Sequence, residues 1–276
     1  MIVDFSRMFA CTLVVAVGCG KSAIGPDAPG GSDGTGGPRD GSPDDGVPID
    51  ALTHIPGMPG LGAHGIADYH LADLPDELSI STPSMTTNSS GSTIVVSVGR
   101  GDNTLFAIPT DNKGNSPYQQ QDTVQVYPSY HESGTAIYAF TNAVGGSNFR
   151  VSTTRGVNKA GQSDEITIAA VEVLEGTAIK EVAWISGTDD PLTSASVTTT
   201  GPATLIAFWW GDGFPGTPQR ATPNNDFHPV DTNANELDSF VQCAVAYKNV
   251  TAAGTYDVTW TAQPTQGAQL WLIAVQ

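Results

Sequence analysis

Two groups of oxygen-bearing residues have the chemistry to hold a hard cation. Asp102 and Asn103 form one, and Asp111, Asn112 and Asn115 follow closely. Their echoes later in the chain are Asp212, then Asn224, Asn225, Asp226 and Asp231. Carboxylate and amide oxygens suit Ca²⁺, and loops converging at one end of a β-sandwich can present them together. Asp102, Asp111, Asn115 and Asp226 are the residues expected to hold such an ion. The run Asp111-Asn112-Lys113-Gly114-Asn115 departs from a calcium loop, because Lys113 occupies a ligand place. Asx-turn chemistry, with Gly in the left-handed conformation, explains the same letters.

Aromatic rings offer a second chemistry, stacking on the C–H faces of sugars in a shallow groove. Trp209 and Trp210 precede Gly211-Asp212-Gly213-Phe214-Pro215, which places aromatics beside polar acceptors. Neighbours on one strand face opposite ways, so one indole is expected in the core and the other exposed or covered by a loop. Tyr118, Tyr127 and Tyr130 bracket the corresponding region of the first half. The expected ligand-binding set is Trp209, Trp210, Asp212 and Tyr118. The alternative is that both tryptophans pack, one against each layer. Trp184, Trp260 and Trp271 lie in strand-like runs and are expected to be core or half-buried.

No catalytic grouping emerges. The sequence has no GxSxG elbow, HExxH pair or phosphate-binding glycine loop. His54, His64, His70, His131 and His228 are widely spaced, and adjacent His131 and Glu132 need a turn to converge. Glu172 falls on the face of Ile166 and Ile168 by alternation. A bulge must shift the phase there, or a carboxylate lies at the core edge with partners. Arg100-Gly101-Asp102 spells an adhesion tripeptide, and a turn after a strand accounts for it. Cys243 sits in the apolar run Val241–Val245 and reads as a small buried hydrophobe.

The elements that position these residues follow from composition. The 276 residues carry 11 Lys+Arg against 28 Asp+Glu, a net charge of −17, which excludes nucleic-acid binding through phosphate contacts. Three Cys without paired spacing exclude a disulfide framework and a standard zinc site. Arg7 precedes an apolar run of ten residues, Met8 to Val17. As a helix this rises only ~15 Å, half of a membrane core, and so reads as the h-region of a signal peptide over residues 1–18. Ala16-Val17-Gly18-Cys19 resembles a bacterial lipobox, which implies lipid attachment at Cys19. Gly20 follows where some lipoproteins carry an inner-membrane retention Asp, which implies the outer membrane. Residues 20–62 hold 12 Gly and 7 Pro among 43, with six Asp, so 19–62 is expected to be a disordered, lipid-anchored tether.

Residues 63–276 read as β nearly throughout. Thr93–Val98, Ala136–Phe140 and Tyr256–Thr261 are β-branched, aromatic or cleanly alternating, and Ile166–Leu174 and Leu270–Val275 are apolar on both faces, as in central strands. Ala67–Leu74 and Ala234–Leu237 offer a helical turn or two at most. An internal echo accompanies this pattern. Segments beginning at Thr93, Ala136 and Ile166 recur at Thr204, Cys243 and Leu270, at offsets of 111, 107 and 104. The fold expected is an all-β, jelly-roll-like antiparallel sandwich with two pseudo-repeat units, 78–176 and 177–276. Two tandem immunoglobulin-like sandwiches are the alternative.

TDNKGN (110–115) with Tyr118, the Ala-rich strand, the GG-N-F-x-V run and GTYDVTW (254–260) resemble a recurring β-sandwich module of exported Gram-negative bacterial proteins. The resemblance spans residues 78–276 and implies fold and location, without catalytic residues. Address, tether and rigid body together suggest a lipid-anchored surface module that contacts a glycan or an envelope protein. A structural envelope component without a discrete ligand, and a hydrolase of envelope polymers, are the alternatives.

Overall fold

Strands form wherever β-branched and aromatic residues alternate between glycine and proline breaks. The computed structural model describes residues 54–69, 79–103, 106–127, 133–154, 165–212, 219–234 and 241–276. Cys19, the signal segment and most of the tether lie outside these residues, as do His70, Tyr130, His131, Glu132 and Gly213–Pro215. No helix occurs among the described residues.

The first half contains β1 (Gly60–Tyr69), β2 (Ser79–Ser81), β3 (Ser90–Arg100), β4 (Thr110–Asp111), β5 (Gln119–Val126), β6 (Gly134–Val144), β7 (Val151–Thr154) and β8 (Ile166–Leu174). The second contains β9 (Ile179–Gly187), β10 (Leu192–Thr193), β11 (Val197–Thr199), β12 (Ala203–Asp212), β13 (Arg220–Pro223), β14 (His228–Thr232), β15 (Val241–Val250), β16 (Gly254–Tyr256), β17 (Thr259–Gln263) and β18 (Ala268–Val275). Each half builds one large sheet, in the orders β1-β8-β3-β6-β5 and β9-β18-β12-β15-β14. Each also builds a small sheet, β2-β7-β4 and β10-β17-β13, and the second half adds the pair β11-β16. All pairings are antiparallel.

The strands that carry the sequence echoes occupy the same places in the two large sheets: β3 and β12 at the centre, β6 and β15 on one side, β8 and β18 on the other. The likeness reaches single bonds. Asn112 donates its N–H to the Arg150 carbonyl (3.2 Å) and accepts from the Arg150 N–H (3.0 Å). Asn224 exchanges the same two bonds with Thr259, at 2.9 and 2.7 Å.

Three apolar layers separate four tiers of sheet, the outer tier of the second half being shared by its two small sheets. Ile94, Val96, Val98, Tyr138 and Ile168 of the first large sheet pack with Phe149 and Val151 beneath its small sheet. Leu205, Trp209, Leu270 and Leu272 of the second pack with Leu192, Val197 and Trp260 beneath its small sheets. The middle layer joins the large sheets through Val95, Ile137 and Val171 on one side and Phe208, Trp210, Val245 and Trp271 on the other. A central strand is therefore buried on both faces, and every residue of β3 from Thr93 to Arg100 is buried. Ser97 lies in the middle layer because the Trp210 Nε1–H, deprived of water, donates to its Oγ at 3.0 Å. Gly99 follows on the same face; a Cβ there would lie 2.3 Å from the Trp210 ring.

The ordered body begins before residue 63. His54 lies 3.3 Å from the Glu175 carboxylate, and Gly57 donates its N–H to the same group at 2.5 Å. β1 then pairs along β8, so His54 belongs to the body and Ala67–Tyr69 is strand, not helix.

Candidate functional site

Two of the residues assigned to a cation, Asp111 and Asn115, hold a turn together. Asp111 Oδ1 accepts the N–H groups of Lys113 (2.8 Å) and Asn115 (3.1 Å). Its Oδ2 accepts from Asn115 Nδ2 (2.8 Å) and the Tyr118 hydroxyl (2.7 Å). Four donors occupy the carboxylate, and Asn115 is further committed by Oδ1 and Nδ2 to the backbone of Val144, both at 2.8 Å. This is the Asx-turn reading realised, with Gly114 at φ +86°. Asp226 stands in a left-handed turn (φ 61°) with its side chain exposed, 3.7 Å from Lys248 Nζ. Asp102 lies partly buried in the turn after β3. No group of three His, Cys, Asp or Glu able to hold a metal occurs among the described residues.

The proposed stacking platform does not form from Trp209, Trp210 and Tyr118. Each is 1 % exposed. The reason is the number of layers: with a sheet on each side of β12, both of its faces are interior, and neither indole reaches solvent. Tyr118 packs on Phe140, ring centroids 5.6 Å apart. Burial, then the hydrogen bond to Asp111, holds its phenol well above the ordinary range. Asp212 ends β12, opposite Val241.

Other singled-out residues are structural as well. Glu172, 2 % exposed, accepts from Ser92 Oγ (2.7 Å), the Asn88 N–H (2.8 Å) and the Ala63 N–H (3.0 Å). The pairing of β1 with β8 is irregular between Leu61 and His64, and the carboxylate receives a backbone donor from that irregularity. Gln276, its counterpart in the echo, accepts from the Thr200 N–H (3.3 Å) and hydroxyl (3.1 Å) just before β12. Arg100 is fully buried and donates to the Thr154 carbonyl (3.3 Å), so the adhesion tripeptide is not presented. Cys243 lies in the middle layer, where burial, then Asp231, pushes its thiol well up.

A different place combines an accessible indole with polar groups. The two large sheets meet at two lateral seams, each made by the edge strands of opposite halves. At one seam β1 meets β14, and His64 Nδ1 lies 3.0 Å from Asp231 Oδ2. At the other seam β5 and β9 leave a cleft of about 490 Å³, lined by Gln119, Gln121, Thr141, Thr177 and Ile179 among others. None of its lining residues carries an ionisable side chain.

The strand register explains this lining. Gln119, Gln121 and Gln125 pair with Ala139, Ile137 and Thr135 of β6. Paired residues share a face, and here it is the face turned to the second large sheet, since Thr135 Oγ1 accepts from Trp271 Nε1 (2.7 Å) and donates to Gln269 (2.8 Å). An irregularity between Gln121 and Gln125, with Asp122 at φ 65°, keeps all three glutamines in phase. Their Nε2 groups bond back to the carbonyls of Pro117, Gln119 and Thr123, at 3.2, 3.0 and 3.0 Å. The amide oxygens of the exposed pair, Gln119 and Gln121, are left as acceptors.

Opposite them, β9 turns Ile179, Val182 and Trp184 towards the middle layer. Trp184 pairs with Trp271, their ring centroids 6.2 Å apart, and is 37 % exposed. Trp184 is thus the tryptophan of the five with an accessible indole, whereas Trp209 and Trp210 both pack. Two sequence signals point here: Gln119-Gln120-Gln121 in a strand marks an edge, and Lys180-Glu181 beside Trp184 marks another.

Comparison with protein-family models, with curated proteins and with solved structures found no match. The fold and the cleft alone define the class: an all-β, four-layered sandwich protein with an open cleft at one lateral seam.

Proposed function

We propose that the chain is a lipid-anchored protein of the cell envelope whose β-sandwich body binds glycans. The single observation that carries the binding role is the β5–β9 cleft, lined by glutamine and threonine side chains, with the half-exposed Trp184 further along the same face of β9. An indole stacks on the apolar face of a pyranose while amide and hydroxyl groups satisfy its hydroxyls, the division of labour seen in small-molecule sites generally. The repeated strand order supports descent of the two halves from one duplicated module.

The envelope location rests on the sequence: the h-region before Cys19, the lipobox-like Ala16–Cys19 and the Gly/Pro/Asp-rich tether. No helix among the described residues is long and apolar enough to cross a membrane. Attachment would therefore fall to a thioether-linked diacylglycerol at Cys19.

Probing a glycan array with the full chain and with Trp184→Ala tests the binding role. Wild type is expected to label a discrete set of glycans, and Trp184→Ala to lose about tenfold in affinity, ~1.4 kcal/mol. A blank array across all glycan classes refutes it. Radiolabelled palmitate should enter the wild-type chain and not Cys19→Ala; an unlabelled wild type refutes the anchor.

A further inference from the structure

We infer that the β5–β9 cleft takes a linear, uncharged oligosaccharide laid along β9 from Thr177 to Trp184. This rests on the glycan-binding reading and adds the class and length of the ligand.

Charge sets the class. The chain carries 28 Asp+Glu and a net charge of −17, so its field repels polyanions. A site for an acidic polysaccharide would need Lys or Arg to offset that field; the cleft lining supplies neither, and Lys180, the single cation on β9, stands outside that lining. The nearest acidic side chain on β9 is also turned away, since Glu181 accepts the N–H of Thr198 in the outer layer. What the cleft offers is amide oxygens, the hydroxyls of Thr141 and Thr177, and apolar surface from Ile179 and Phe140. That mixture matches a neutral hexose chain, with hydroxyls at its rim and C–H groups on its faces.

The strand sets the length. Trp184 stands five residues beyond Ile179 on the same face of β9, which is ~17 Å along an extended strand. A ligand that contacts both the cleft and the indole must bridge that distance, and several sugar units are needed. The two seams sharpen the point. β9 and β5 hold the positions in their sheets that β1 and β14 hold in the other seam. A histidine–carboxylate pair joins that other seam, whereas glutamines line this one and a half-exposed indole stands further along β9.

The test is affinity electrophoresis of the full chain in gels containing a soluble neutral β-glucan, a neutral mannan, alginate or heparin, at low and high salt. Competition uses the disaccharide and hexasaccharide of whichever polymer retards the protein. The expected result is retardation by a neutral polymer, insensitive to salt, with the hexasaccharide competing at least about tenfold better than the disaccharide. Trp184→Ala and the double variant Gln119→Ala/Gln121→Ala should each weaken retardation about tenfold or more, and Trp184→Phe should keep most of it. The glutamines are at an exposed edge, so the double variant remains informative if Trp184→Ala misfolds. Salt-sensitive retardation by alginate or heparin alone overturns the uncharged class and leaves the glycan-binding reading standing. Retardation unchanged in all variants overturns the placement in this cleft. Equal competition by disaccharide and hexasaccharide overturns the length. No retardation by any polymer overturns this inference and the glycan-binding reading together.

Discussion

Glu172 is a carboxylate in a place that alternation reserves for an apolar side chain. It survives there because three donors converge on it: Ser92 Oγ and the N–H groups of Asn88 and Ala63. Hydrogen bonds to a charged acceptor are stronger than neutral ones, and a buried donor left without a partner costs its full desolvation. Glu172→Ala is therefore expected to destabilise the fold by about 3 kcal/mol in urea unfolding. Glu172→Gln should cost less, ~2 kcal/mol, since one amide oxygen can keep Ser92 and Asn88 while the NH2 group leaves the Ala63 N–H without an acceptor. Equal losses for both substitutions would contradict this account of the carboxylate. The unusual phase of Glu172 was legible in the sequence, and so were its two resolutions. Its partners were not, because Ala63 and Asn88 act through backbone groups that any residue carries.

Strand ends bring carboxylates together that the sequence keeps far apart. Glu165 precedes β8 and Asp68 lies near the end of β1. Burial, then Asp68, lifts the Glu165 carboxyl from 4.5 to about 7. Between those values the folded chain binds more protons than the unfolded chain. Stability contributed by the protonated group is thus complete below about pH 4.5, declines as pH rises to about 7, and is gone above it. Glu165→Gln should flatten that decline when urea midpoints are compared across the window; parallel curves for the two proteins would contradict it. The alternating and doubly apolar runs located β3, β6, β8 and β18, whereas Tyr256–Thr261, expected as one strand, is broken at Asp257 and Val258 between β16 and β17, which lie in different sheets. β1 escaped notice because Gly60, Gly62 and Gly65 give it the composition of a linker. Its pairing with β8 overrides that local preference. The sequence places Trp184 no more finely than core or half-buried, since only the partner strand reveals which edge of a sheet a strand occupies.

The two halves each have an inner layer of their own, yet neither is complete alone. Val95, Ile137 and Val171 in one, and Phe208, Trp210 and Trp271 in the other, would form bare apolar faces if the halves parted. Heating should therefore give one cooperative transition by calorimetry and by far-ultraviolet dichroism; two resolved transitions would show that the middle layer is weaker than its area implies. The same stacking explains why Trp209 and Trp210 both pack, one against each layer, as the alternative reading of the sequence has it. Alternation tells how many faces of a strand are apolar, and β12 is apolar on both. It does not tell that a second sheet, from the other repeat, covers the face that a two-layered sandwich would leave open. With that face closed, the accessible aromatic moves from β12 to the seam.

Tryptophan accessibility tests this seam most directly. Of the five tryptophans, Trp209, Trp210, Trp260 and Trp271 are at most 1 % exposed, and Trp184 is 37 % exposed. Iodide should quench the Trp184 fraction of the fluorescence and little else. Addition of a glycan that binds the full chain should remove that quenching, and Trp184→Phe should lack it from the start. Quenching that persists unchanged while the glycan is bound would place the ligand elsewhere and contradict the assignment of the β5–β9 cleft.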